Sequence, residues 1–120
     1  MVWWIGLGGI CGSILRFLLG TWISLRSTSK FPYGTFVINI SGSLILGCIA
    51  GLHEQREISS MLYALLGIGF CGAYTTFSTF GVETIRLLEQ RLWNKAAAYV
   101  LCSVSISIAG AWLGMWLTIR

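Results

Sequence analysis

From Gly72 to Gly81 the chain reads Gly-Ala-Tyr-Thr-Thr-Phe-Ser-Thr-Phe-Gly, a dense series of hydroxyls and a phenylalanine pair inside a long apolar segment. In hydrocarbon each hydroxyl, and each backbone group freed from a helix, needs a partner, and an orphan costs on the order of several kcal/mol. The run therefore has the chemistry of a binding or permeation site. Phe77 and Phe80, spaced i, i+3, share a helix face with Ser78 and Thr79 between them. Ring edges carry partial positive charge, so such a pair contacts an anion weakly enough to release it, although packing is the competing reading. The glycine and hydroxyl neighbourhood of Gly72 predicts a helix break, and freed carbonyls suit a hard cation such as sodium.

Two further segments carry polar stripes. Thr35, Asn39 and Ser43 recur at i, i+4, i+8, with Gly47 and Gly51 continuing the same face. Asn39 reads either as interhelical glue or as an NH2 donor to an anion. Tyr99, Ser103 and Ser107 repeat the spacing, while Ser105 points elsewhere. A helical serine can bond the carbonyl four residues back, so the shared face is the signal rather than any single hydroxyl. Arg16 is the one basic residue well inside an apolar span, and it reads either as an anion-attracting vestibule residue or as a lipid or carbonyl anchor. Glu83 reads first as a surface pair with Arg86 and second as a residue at a pathway mouth. His53, among Glu54 and Glu57, reads as solvated.

The elements that must position these residues follow from composition. Of 120 residues, 56% are hydrophobic and 10% charged, which excludes an ordinary soluble domain. Apolar spans of about 3–25, 31–52, 60–88 and 96–119 are each near or above the roughly 20 residues needed to cross a bilayer, and residues 1–120 form one transmembrane domain. The fold class expected is an all-α integral membrane protein of four transmembrane helices with the third broken mid-membrane. The first span lacks a basic n-region and a cleavage site, so it is expected to be retained. Cys11, Cys48, Cys71 and Cys102 fall one per span and read as reduced apolar packers. A net charge of +4 sits at span ends, where lipid phosphates lie, so no nucleic-acid partner is expected. Arg26, Lys30, Arg86, Arg91 and Lys95 lie on one side of a four-span arrangement, against Arg56 and Arg120 on the other. This modest bias places the first and third loops in the cytoplasm, or allows insertion both ways. A bundle so thin encloses little, so an oligomer is expected. Small residues at i, i+4 (Gly8 and Gly12; Ser43, Gly47 and Gly51; Gly69 and Ala73; Gly110 and Gly114) permit close helix contacts, within one chain or between chains.

Three stretches carry a family resemblance: Gly8-Gly9 with Gly12-Ser13 and Arg16-Phe17; Pro32-Tyr33-Gly34-Thr35 with Asn39 and Gly42-Ser43; and Gly69-Phe70-Cys71-Gly72 followed by Thr75-Thr76-Phe77-Ser78-Thr79-Phe80. Together they resemble the small four-helix fluoride channels of the Fluc (CrcB-type) family, in order, over three of four spans. The resemblance implies an antiparallel, dual-topology dimer in the bacterial plasma membrane. It would be a homodimer or a heterodimer with a paralogous chain, exporting fluoride passively through pores at the dimer interface. By matching position, Asn39 would be a pore donor, Phe77 and Phe80 the fluoride-facing rings, and Ser78 or Thr79 a hydroxyl contact. The fourth span adds the compatible track of Tyr99, Ser103 and Ser107, the stripes of Asn39, Ser43, Ser103 and Ser107 would supply part of the donor track, and Arg16 would correspond to the vestibule arginine. The carbonyls of Gly72 and Thr75, from both subunits, would hold a structural sodium ion. Ala73 stands where the family often has glycine, and Tyr74 where it often has Phe or Leu.

This is not an enzyme on that reading. The alternative function is a small proton-coupled exporter of the multidrug type, which needs a buried carboxylate in the first span, and this chain has none there. A third reading is an assembly subunit without transport of its own.

Overall fold

Among the described residues four helical stretches are long and apolar enough to cross a membrane: Val2–Arg26, Tyr33–Glu54, Ser60–Glu89 and Trp93–Thr118. The computed structural model describes residues 2–119, and no strand occurs among them. Arg120, counted above with Arg56, lies outside the described residues. In chain order the elements are α1 (Val2–Arg26), α2 (Tyr33–Glu54), α3 (Ser60–Tyr63), a π-helical stretch (Ala64–Cys71), α4 (Gly72–Tyr74), α5 (Ser78–Glu89) and α6 (Trp93–Thr118). The third span is thus a composite of four pieces, and its break separates α4 from α5.

Local chemistry sets the ends. Phe31 and Pro32 precede α2, because proline lacks an N–H and biases the residue before it away from helix. Ser27 and Ser29 fold the first loop by accepting the amides of Ser29 and Phe31 at 3.3 and 3.1 Å. The other two reversals share one design. Glu57 N–H reaches the Leu52 carbonyl at 2.9 Å and Arg56 N–H that of His53 at 3.0 Å, while Leu92 and Arg91 repeat the pattern on Leu87 and Leu88 at 2.9 and 3.0 Å. These are Schellman closures, and Arg56 and Arg91, both at φ 59°, occupy the left-handed position that glycine usually fills. Ser59 caps α3 by accepting the Leu62 amide at 3.1 Å.

The small-residue stripes are used inside the chain. A Cβ on Gly8 would overlap the Leu65 carbonyl and one on Gly12 that of Phe70, while one on Gly69 would stand 2.5 Å from Ile5 O. These glycines let α1 lie directly on the π-helical stretch and α4. On the other side, a Cβ on Gly47 would overlap the Ala111 carbonyl and one on Gly114 would stand 2.5 Å from Leu44 O, so α2 lies directly on α6. Two tight helix pairs result. Between them, α5 joins α6 through a cluster of Leu87, Ala96 and Tyr99, flanked by Phe31, Phe36 and Phe80.

Candidate functional site

The break is made by a side chain from another helix. Thr75 still donates its amide to the Cys71 carbonyl at 3.0 Å and its hydroxyl to the same oxygen at 2.9 Å, yet its own backbone is extended (φ −79°, ψ 157°). The next amide, Thr76 N–H, would go to the Gly72 carbonyl in a continuous helix. It donates instead to Asn39 Oδ1 at 2.9 Å, and Asn39 Nδ2 donates back to the Thr76 carbonyl at 3.0 Å. Asn39 thus binds both backbone groups of Thr76, as a neighbouring strand would. The Thr79 amide, due to the Thr75 carbonyl, donates to Thr76 Oγ1 at 3.2 Å and caps α5. Helical bonding resumes when Gly81 N–H reaches the Phe77 carbonyl at 2.9 Å.

Two consequences follow for residues singled out in the sequence. The expected break from Gly72 to Thr75 lies further on, at residues 75–77: Gly72 is helical at φ −62°, ψ −36°. Asn39 competes for the backbone at Thr76, whereas nothing draws Gly72 out of the helix. The carbonyls of Gly72 and Thr75 nevertheless both lose their helical donors, the first to Asn39 and the second to Thr76. Asn39 itself acts as the interhelical bridge of the two readings given above, with one N–H left over.

The two polar stripes converge. Asn39 and Ser43 from α2, Ser103 and Ser107 from α6, Phe77 at the end of the break and Phe80 on α5 line one groove of about 300 Å³. Ser103 is 5% exposed, and its hydroxyl has no hydrogen-bond partner among the described residues. Phe80 is half-buried, its ring centroid 5.0 Å from that of Tyr99, and Phe77 lies 6.2 Å from Phe80. Phe77 is 85% exposed, so little among the described residues covers it.

Other members of the stripes go elsewhere. Tyr99 is fully buried behind Phe80, edge-on to Phe31 at 5.4 Å, and does not line the groove; its hydroxyl is also unpartnered among the described residues. Thr35 donates to Glu83, which sequence reasoning had placed first with Arg86. Arg16 and Thr79 line a second hollow of about 500 Å³ with Thr35 and Glu83, between α1, α2 and α5. Ser78 is exposed and lines neither hollow. The Asn39 to Thr76 pairing and the Thr76 cap were missed from sequence, since no periodicity links residues 37 apart.

Residues 3–115 match the family described as CrcB-like protein, Camphor Resistance (CrcB). The chain belongs to this family. It is 45% identical over 114 residues to a protein of Clostridium acetobutylicum named fluoride-specific ion channel FluC 2, covering 95% of this chain and 94% of that one. It is 42% identical over 113 residues to fluoride-specific ion channel FluC of Shewanella frigidimarina, covering 94% and 91%. A Mycobacterium tuberculosis protein named fluoride-specific ion channel FluC 2 is 45% identical over 117 residues, covering 95% and 89%. With its four crossing helices, this CrcB family member is a multi-pass bacterial membrane protein.

Proposed function

We propose that this chain is one half of a fluoride-selective channel that lowers cytoplasmic fluoride by passive export. The observation that carries the reading is the groove in which Asn39, Ser43, Ser103 and Ser107 meet Phe77 and Phe80. Fluoride is small and tightly hydrated, so a pathway must replace its water with donors at short intervals. The hydroxyls of Ser43, Ser103 and Ser107 and the remaining N–H of Asn39 are such donors. Ser103, buried without a partner, is in the state that a passing anion would relieve. The edges of Phe77 and Phe80 add a weak positive contact without a countercharge, which favours release. The names of the relatives supply the identity of the anion.

The groove lacks a wall on the side where Phe77 stands exposed. A second chain, a copy of this one or a paralogue, in antiparallel orientation would supply it. The carbonyls of Gly72 and Thr75, stripped of their helical donors, fit a structural sodium ion, which takes neutral oxygen ligands and would neutralise their dipoles. Arg16, in the second hollow, would draw anions towards the membrane face it lines.

Purified protein in liposomes is expected to release fluoride, followed with a fluoride electrode, and to retain chloride. Phe80→Ile is expected to reduce fluoride flux at least tenfold while the oligomer, sized in detergent, persists. Equal release of both halides would overturn the fluoride selectivity, and full flux through Phe80→Ile would remove the ring contact from the account.

A further inference from the structure

Tyr74 belongs to the hydroxyl-rich run, yet it lines neither the groove nor the Arg16 hollow. It is the last residue of α4 and is 3% exposed. Its ring stacks on Phe70 at 5.5 Å, with 12° between planes, and lies over Gly42, where a Cβ would stand 3.1 Å from Tyr74 Cδ2. Its hydroxyl is 2.9 Å from Ser41 Oγ. Ser41 has one proton and gives it to the Ile38 carbonyl at 3.1 Å, so it accepts from Tyr74. The chain of bonds runs Tyr74 to Ser41 to Ile38, each link polarising the next.

Asn39 and Ser41 lie two residues apart on α2, and they hold residues two apart on the third span. Asn39 holds the Thr76 backbone and Ser41 holds the Tyr74 side chain, on either side of Thr75. The bonds to Cys71 and from Thr79 tie the turn only to its own span, so Asn39 alone would hold it to α2 at one point. We propose that Tyr74 is a positioning residue: its hydroxyl, held by Ser41, is the second of two anchors by which α2 fixes the turn at Thr75 and aims the Gly72 and Thr75 carbonyls. Gly42 supplies the room, since a side chain there would run into Thr75 and the Tyr74 ring. Only the link to sodium rests on the function proposed above; the anchor itself rests on the hydrogen bonds.

The test compares the full-length protein with Tyr74→Phe, Ser41→Ala and the double variant, by amide hydrogen exchange and by fluoride flux across a sodium series. Tyr74→Phe keeps the ring stack and leaves Ser41 bonded to Ile38. It is expected to speed exchange at residues 75–76 by about 2- to 10-fold, the worth of one hydrogen bond, with the rest of the chain unchanged. The sodium concentration for half-maximal flux rises by a similar factor, while flux at saturating sodium is unaltered. Ser41→Ala strands the buried Tyr74 hydroxyl and has the larger effect; adding Tyr74→Phe removes the stranded group and returns exchange to the level of Tyr74→Phe alone. Unchanged exchange at residues 75–76 in both single variants, or a rise spread over the whole chain, overturns the anchor. Faster local exchange in a protein whose parent flux ignores sodium keeps the anchor and removes the sodium reading instead.

Discussion

Before Thr75 the third span meets α1 backbone to backbone; after Phe77 it meets its neighbours through side chains alone, at the Leu87 cluster and at Glu83, and leaves one face open. In the first half, α1 lies so close that Gly8 and Gly12 have backbone atoms where a side chain would begin, and Gly69 meets Ile5 in the same way. In the second half, a Cβ on Gly81 would meet nothing within 4 Å, Phe77 is 85% exposed, Ser78 is exposed, and Thr79 lies on the Arg16 hollow. The same chain segment thus supplies a fixed base and an open working face. The joint between them is bonded to α2 through Asn39, to the first half through Cys71 and to the second through Thr79. This division suits a conduction site, because dry close packing fixes the backbone while polar groups remain free to meet a ligand.

The sharpest way to break the contrast is to put bulk into the closed half. Gly12→Leu drives a side chain into the Phe70 carbonyl on a backbone that has no room to retreat. The expected loss is on the order of 3 kcal/mol or more, beyond the usual penalty of an overfilled core, because the obstacle is main chain. Detergent extracts should show little monodisperse protein. A well-folded Gly12→Leu variant would mean that α1 can slide on the third span, and the fixed base would be lost from the argument.

Removing the joint comes next. Asn39→Ala leaves the Thr76 amide and carbonyl without partners at a residue only 9% exposed. Each stranded buried group costs about 1–3 kcal/mol, so unfolding by denaturant should shift by several-fold more than for an exposed alanine substitution. Fluoride flux should fall to background. If stability drops while flux survives, Asn39 is a brace only and the track must run through the serines alone.

What the sequence could disclose follows the same line. Four crossing helices were legible because hydrocarbon demands long apolar runs, and the stripes through Asn39, Ser43, Ser103 and Ser107 were legible because helical spacing is fixed. The location of the break was not. Composition pointed at Gly72, but the cause lies in Asn39 reaching Thr76 from another helix, and the π-helical stretch before it has no residue signature. Tyr99 shows a subtler failure. Its i, i+4 spacing with Ser103 and Ser107 is real, yet a ring reaches far enough from its helix to enter the core behind Phe80, while the short serines remain at the groove.

The smallest expected effect tests the open half most directly. Gly81 lies inside α5 with an ordinary helical surrounding and free space at the Cβ position. Alanine loses less backbone freedom on folding into a helix, so Gly81→Ala should stabilise the chain by about 0.5–1 kcal/mol if that face meets only lipid or water. The sign is what matters. A gain in thermal stability with flux retained describes a face that stays open in the assembled protein. A loss, together with weaker oligomers, describes a face on which the second chain closes so tightly that a methyl group is too much. The Gly81 face would then become another close-packed helix contact like that at Gly12, made between subunits instead of within one.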